Sequence, residues 1–357
     1  MNEQLKQDIF SLCGVMSVSG FEGLATDEIQ KRYSDLFDRI EQDPVGNHLL
    51  FRSCGRENVP TILIDTHFDE IGMMVTKTCE GGFLHFTSVG GLSPSVLQGA
   101  DVIVWGKQPL KGVITSTPPH LRKAGEEDTL SEFDDLLIDV GYPKEELDTL
   151  CPVGTPIGFA PRYRELAGGA LAGKSFDNKA CGAIAAYAIA HTPKEDLAGD
   201  IVLLLSAFEE TARIGGVAPG TAKADPDYAM VIDVNLARVP HTPKSETVPL
   251  RGGVSLAWSA ATSRELTAMT RDLCEEKAIP YVTVAAPSST GTNSPTLNLV
   301  GAGVPVVDVG LPLRNMHTYY EVIAPEDVDA LCRLVEEFIK SPALADRFKK
   351  GEEELPR

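Results

Sequence analysis

Several apolar runs in this chain end in side chains that ligate metals or move protons. The run IVLLLSAF is followed at once by Glu209 and Glu210. A strand that apolar is buried, and buried carboxylates need positive partners or they take up protons. The next basic residue is Arg213, so a bound cation is the simplest neutraliser. TILID leads straight into THFDEIG, which carries His67, Asp69 and Glu70. YAMVID ends on Asp233, and VPVVDVGL is followed by Arg314 and His317. Asp177 lies in GKSFDNKACG, a turn ahead of a helix of small residues. Two histidines with several carboxylates and no cysteine suit zinc, cobalt or manganese in a catalytic site rather than a structural one. So many acids fit two cations sharing a bridging carboxylate, with a spare carboxylate as general base. That set can hydrolyse an amide. Taken singly, each residue has a plainer role. His67 and His317 would be structural histidines, the glutamate pair a solvated loop, Asp233 an Asx turn and Asp177 a helix cap. Their concurrence at the ends of separate strands favours the site, although spacing alone does not assign ligands to ions. The other histidines, His48, His85, His120, His191 and His241, have no such setting and read as structural.

The elements that must position these residues are strands alternating with helices. IVLLLSAF, YAMVIDV, YVTVAA and VPVVDVGL read as buried strands. KACGAIAAYAIAH, SRELTAMTRDLCEEKA and PEDVDALCRLVEEFIKS read as helices, with Ser263, Glu265 and Pro325 as start signals. The first forty residues read as helix, broken at SVSGFEG. This pattern predicts an α/β fold with a doubly wound, mostly parallel sheet covered on both faces. Ligand sites in such sheets gather beyond the carboxyl ends of the strands. From 72 to 163 the texture changes to short β pieces, GGFLHFTSV, DVIVWG and KGVITS, with Gly and Pro turns and the acidic, loop-like KAGEEDTLSEFDD. This is the texture of a small β-rich domain inserted into a catalytic domain made of 1–71 and 164–357.

Bulk composition narrows the partners. At 357 residues the chain is long for one core. Its net charge of −19 argues against nucleic acid and anionic membrane. Seven scattered cysteines without a CxxC pair fit a reducing cytoplasm and argue against disulfides or a thiolate zinc site. The amphipathic start MNEQLKQDIFSLC lacks the apolar stretch of a signal peptide, and no segment is apolar enough to predict a membrane span.

The ordered motifs resemble those of the tetrahedral aminopeptidases, co-catalytic metallopeptidases that include glutamyl and deblocking aminopeptidases. THFDEIG resembles their H-x-D-E-I-G motif, GKSFDNKACG their G-K-x-x-D-N-R, FEET their Q-E-E and MVIDVN their V-D-V-T. LPLRNMHTYYE resembles their P-x-R-Y-M-H-S-x-x-E, and VGGLSP, GVITSTPPHL and LLIDVG resemble landmarks of their inserted domain. The likeness runs through nearly the whole chain in the same order. It implies a zinc-peptidase-like catalytic domain and two divalent ions per subunit, zinc first, with cobalt or manganese as alternatives. His67 and Asp233 would each contact one ion, Asp177 would bridge, and Glu210 and His317 would complete the second site. Glu209 would be the general base toward a metal-bridging hydroxide that attacks the peptide. Asp69 would accept from the other nitrogen of His67 and fix its tautomer. The substrates implied are peptides with a free N-terminus. The resemblance also implies that the inserted domain pairs subunits into dimers and into hollow tetrahedral dodecamers.

The chain departs from the family pattern at Phe208 (often Gln), at TARIGG after the glutamates, at Asn293 in TGTNSP and at HTYYE. None of these removes a ligand, and all lie near where substrate would sit. Two rival hydrolases stay in view: a related metal-dependent deacylase or dipeptidase, and a cellulase-type glycosidase, which needs two carboxyls but no histidines. A metal-stabilised scaffold without chemistry would have no use for Glu209.

Overall fold

The structure is a computed structural model that describes residues 1–121, 132–212 and 215–351. Most of KAGEEDTLSEFDD, and Arg213, lie outside the described residues. Of the acidic segment only its end is described, as a 3-10 turn at Phe133–Asp135.

The central sheet has eight strands. Across it run Arg39–Gln42, His48–Arg52, Asp200–Ser206, Thr61–His67, Tyr228–Leu236, Val306–Leu313, Val254–Ser259 and Tyr281–Ala286. The four strands from Asp200–Ser206 to Val306–Leu313 are mutually parallel. The sheet is more mixed than predicted. The first hairpin joins the parallel centre antiparallel, and Val254–Ser259 pairs antiparallel with Val306–Leu313 through Ser255 and Gly310. Apolar residues alone do not distinguish these pairings, because both kinds of central strand are buried on two faces.

Alternation along each strand feeds two cores. Ile62 and Ile64, Leu203 and Leu205, and Met230 and Ile232 face a large core with the helices Glu3–Cys13, Phe176–His191 and Pro325–Lys340. Leu63, Leu204 and Val231 face a smaller core with Val217 and Leu297. The Ser263 side chain caps the helix Arg264–Glu276 by accepting from Leu266 N–H, and Pro325 opens the helix that follows the last strand, as their positions predict.

Six further strands form a closed barrel. In order these are Gly72–Cys79, Phe83–Val89, Leu136–Asp139, Pro109–Ser116, Asp101–Trp105 and Pro156–Phe159, the last pairing back onto the first. Closure removes exposed strand edges, and the barrel has its own core around Met73, Phe86, Val104 and Ile138. A third, small sheet of Arg164–Glu165, Leu171–Gly173 and Glu321–Ile323 was not predicted. It pairs Gly173 with Glu321, and so ties the segment before Asp177 to the segment after His317. Among the described residues no helix is long and apolar enough to cross a membrane.

Candidate metal centre

Each of the strand ends singled out by their side chains opens into one cavity. Its lining includes His67, Asp177, Glu209, Glu210, Asp233 and His317. Asp177 lies between the two histidines. Its Oδ1 is 3.0 Å from His67 Nε2 and its Oδ2 is 3.5 Å from His317 Nε2. A second carboxylate stands beside each imidazole: Asp233 Oδ1 at 3.6 Å from His67 Nε2, and Glu210 Oε2 at 3.2 Å from His317 Nε2. One donor atom each from His67, Asp177 and Glu210 fall within 4.8 Å of one another.

Local hydrogen bonds set these positions. The Asp177–Asn178 peptide is cis, and Asn178 Nδ2 donates to Ile232 O at 2.8 Å, pinning this turn to the strand that ends in Asp233. His317 lies on a turn with positive φ at Asn315 and at His317 itself. Its Nδ1 donates to the Gly91 carbonyl at 2.9 Å. Gly91 sits in VGGLSP, just past a barrel strand, so the barrel side helps aim the imidazole. A Cβ at Gly91 would stand 2.9 Å from His317 Nδ1, which explains a glycine there.

Asp69 differs from its expected role. His67 Nδ1 donates to the Asp69 main-chain carbonyl at 3.0 Å, while the carboxylate stands 3.6 Å away. The carboxylate instead accepts from the backbone N–H groups of Glu209 and Glu210, at 3.1 and 3.0 Å. The reason is geometric. The chain turns just after His67, which brings the Asp69 carbonyl within reach of Nδ1 and sends the Asp69 side chain to the adjacent strand end. Asp69 therefore holds the glutamate pair, and its backbone fixes the His67 tautomer.

Other buried groups at the site carried weaker sequence signals. Glu321, the acid of HTYYE, accepts from the backbone N–H groups of Asp177 and His317, at 3.0 and 3.1 Å. Glu22 accepts from Phe208 N–H at 3.0 Å, and Phe208 has positive φ, so the turn entering Glu209 is held from the N-terminal side. Glu70 of THFDE lies buried between Lys174 and Lys179, with the Lys179 ammonium at 3.0 Å. Glu70 also accepts from the Ser175 hydroxyl, so it anchors residues on both sides of Asp177. The letters of the motifs contained Glu70, Lys174 and Glu321, but not their partners.

The electrostatics are those of crowded acids. Burial would raise Asp177, but hydrogen bonds from His317 and His67 hold it well below the usual carboxylate range. Burial pushes Glu210 up to about 7 and Asp233 up to about 8, with the Asp177 charge adding to both. Hydrogen bonds to Asp177 and Glu210 push His317 up to about 11. His67 is raised well above its ordinary value: burial opposes this, and Asp233 and Asp177 prevail. Among the described residues Glu210 Oε1 is buried with no hydrogen-bond partner. Four carboxylates, two imidazoles and an orphaned buried oxygen fit divalent cations, which would supply the missing positive charge.

A model of the M42 glutamyl aminopeptidase family matches residues 46–334. The chain belongs to this family. It is 25% identical to a lysyl aminopeptidase from Pyrococcus furiosus, over 90% of this chain and 93% of that one. An aminopeptidase from the archaeon Desulfurococcus kamchatkensis superposes with a TM-score of 0.87 at 26% identity, covering 98% of each chain. A Pyrococcus horikoshii TET1 peptidase able to assemble into a tetrahedron or a large octahedral shell superposes with a TM-score of 0.80 at 25% identity, over 94% of this chain and 99% of that one. This M42 member is accordingly a peptide hydrolase of a metal-dependent aminopeptidase family, and the resemblance read from its motifs is the correct one.

Proposed function

We propose that this M42 protein removes N-terminal residues from peptides, using two divalent metal ions. One observation carries the reading: Asp177 offers its two oxygens to two different histidines, 3.0 and 3.5 Å away, and each histidine has its own second carboxylate. One ion would be held by His67, Asp233 and Asp177, the other by His317, Glu210 and Asp177. Imidazole with carboxylate donors favours zinc, with cobalt or manganese as substitutes. When bound, such ions polarise a peptide carbonyl and make water a better nucleophile.

The chain's own residues do the rest. The acidic cavity attracts the cationic free N-terminus of a peptide. Glu209, buried at 7% exposure in the same cavity, takes a proton from the attacking water and returns it to the leaving amine nitrogen. Asp69 holds Glu209 and Glu210 in register through their backbone N–H groups. Glu321 holds the backbone of Asp177 and His317 through their N–H groups.

The closed barrel would pair subunits, as part of an inserted domain spanning 72–163, and larger closed shells would admit only flexible peptides. Seven free cysteines suit a reducing compartment such as the cytoplasm.

The experiment is a panel of aminoacyl p-nitroanilides and N-acyl amino acids, assayed after chelation and after return of Zn, Co or Mn. Cleavage of the free-amine substrates, lost on chelation and restored by metal, is the expected result. Cleavage of only the acylated substrates would transfer the site to the deacylases. Hydrolysis of a β-glucan that survives chelation would transfer it to the glycosidases.

A further inference from the structure

The cavity extends beyond the metal centre, and its far part has a different character. Leu236, Ala257, Val284, Ala286 and Met316 give it apolar walls, and Thr290, Thr292 and Asp308 give it a polar floor. Among the described residues Asp308 is the one lining carboxylate outside the cluster of histidines and acids, and it is buried at 5% exposure.

The register locates it. Asp308 pairs with Val231, and Gly310 pairs with Asp233. Side chains two apart on a strand share a face, so Asp308 stands about 7 Å along the sheet from the Asp233 level and one strand over. Gly310 lies on the same face at the Asp233 level and lines the cavity beside the Asn235 side chain. The Thr292 and Ser294 hydroxyls both donate to Asp308 Oδ2. These neutral donors orient the carboxylate without cancelling its charge. Among the described residues no Lys or Arg lines this cavity. Burial raises the Asp308 pKa, an unfavourable state that a cationic guest would relieve.

Apolar walls leading to a single acid match a long aliphatic stem ending in a cation. We propose that Asp308 is a specificity-determining residue: this end of the cavity receives the side chain of the substrate's N-terminal residue and selects lysine or arginine. The proposal rests on the aminopeptidase reading and deepens it. It also bars N-terminal glutamate or aspartate, whose carboxylate would meet a buried like charge.

The test is the metal-loaded enzyme on Lys-, Arg-, Leu- and Glu-p-nitroanilide, with Asp308→Asn and Thr292→Val beside the wild type. Asn keeps an acceptor for the two hydroxyls and removes the charge. Valine at 292 loosens the loop and keeps the charge. The wild type is expected to favour Lys and Arg over Leu in kcat/KM by at least tenfold and to discriminate against Glu. Asp308→Asn should lower the Lys-to-Leu ratio at least tenfold. Thr292→Val removes one donor that orients Asp308 but keeps its charge, so it should lower the Lys-to-Leu ratio less than Asp308→Asn does; a ratio lowered as far by Thr292→Val would overturn the assignment to the charge. A wild type preferring Leu or Glu, or an Asp308→Asn enzyme with an unchanged ratio, overturns the proposal while leaving the aminopeptidase reading intact. Failure of the wild type on every free-amine substrate removes both. The wild-type panel decides even if a variant does not fold.

Discussion

Gly91→Ala should weaken metal binding without unfolding the chain. Gly91 does not require positive φ, unlike its neighbour Gly90, so alanine adds no backbone strain. What it adds is a methyl 2.9 Å from His317 Nδ1 and 3.1 Å from Cε1. Ordinary contact would need roughly 0.5 Å more, so the imidazole must swing away. It would then give up the 2.9 Å hydrogen bond to the Gly91 carbonyl and misalign Nε2 with Asp177 and Glu210. Losing a group that orients a ligating histidine costs about 10–100-fold in metal affinity, or about 1.4–2.7 kcal/mol. The assay is competitive chelator titration of both sites, with far-UV circular dichroism as the control for folding. Loss should be confined to one of two binding steps, because the His67–Asp233 side does not touch Gly91. Wild-type affinity at both steps would refute the claim that the barrel side aims His317.

Other outcomes follow from buried groups. His48 is fully buried, and burial lowers its pKa to about 4 from an ordinary 6.5. A group with a lowered folded pKa stabilises above its unfolded pKa and loses that contribution as pH falls through the folded one. Stability should therefore fall between pH 6.5 and 4, by up to about 3 kcal/mol from this residue. His48→Gln should flatten that slope in urea unfolding at pH 7 and pH 5; an unchanged slope would remove His48 as its source. Glu70→Gln leaves the buried Lys174 and Lys179 ammoniums without their carboxylate, a loss of about 3–5 kcal/mol readable as a lower denaturation midpoint. A midpoint equal to wild type would show that Glu70 does not hold the Asp177 turn.

Much of the site was legible because ligand chemistry sits at the ends of apolar runs. The strands that carry or lead into His67, Glu209–Glu210, Asp233 and His317 are continuous enough to be read one at a time, and the parallel arrangement brings their carboxyl ends together. What escaped depends on the backbone. The family resemblance implies that the Asp69 carboxylate meets the His67 ring, yet the ring binds a main-chain carbonyl that no letter encodes. Glu321 and Glu22 act by accepting backbone N–H groups, so their partners have no side-chain signature. The antiparallel contact of Ser255 with Gly310, and the small sheet linking Gly173 to Glu321, are likewise tertiary pairings of short segments that local periodicity does not reveal. In the sequence Asp308 is simply one letter of the buried strand VPVVDVGL. Its place on the floor of the cavity emerges from its register with the strand of Asp233.

The adjacent glutamates provide the most direct test of the account. Glu209→Gln and Glu210→Gln should be compared by metal content after dialysis against zinc and by kcat on a cleavable aminoacyl p-nitroanilide. Glu209→Gln should retain two ions per chain while turnover falls by at least about 10²-fold, the low end for a general base. Glu210→Gln should lose metal as well as activity. A Glu209→Gln enzyme that turns over at the wild-type rate, or that loses its metal as Glu210→Gln does, would contradict the division of labour between the two residues.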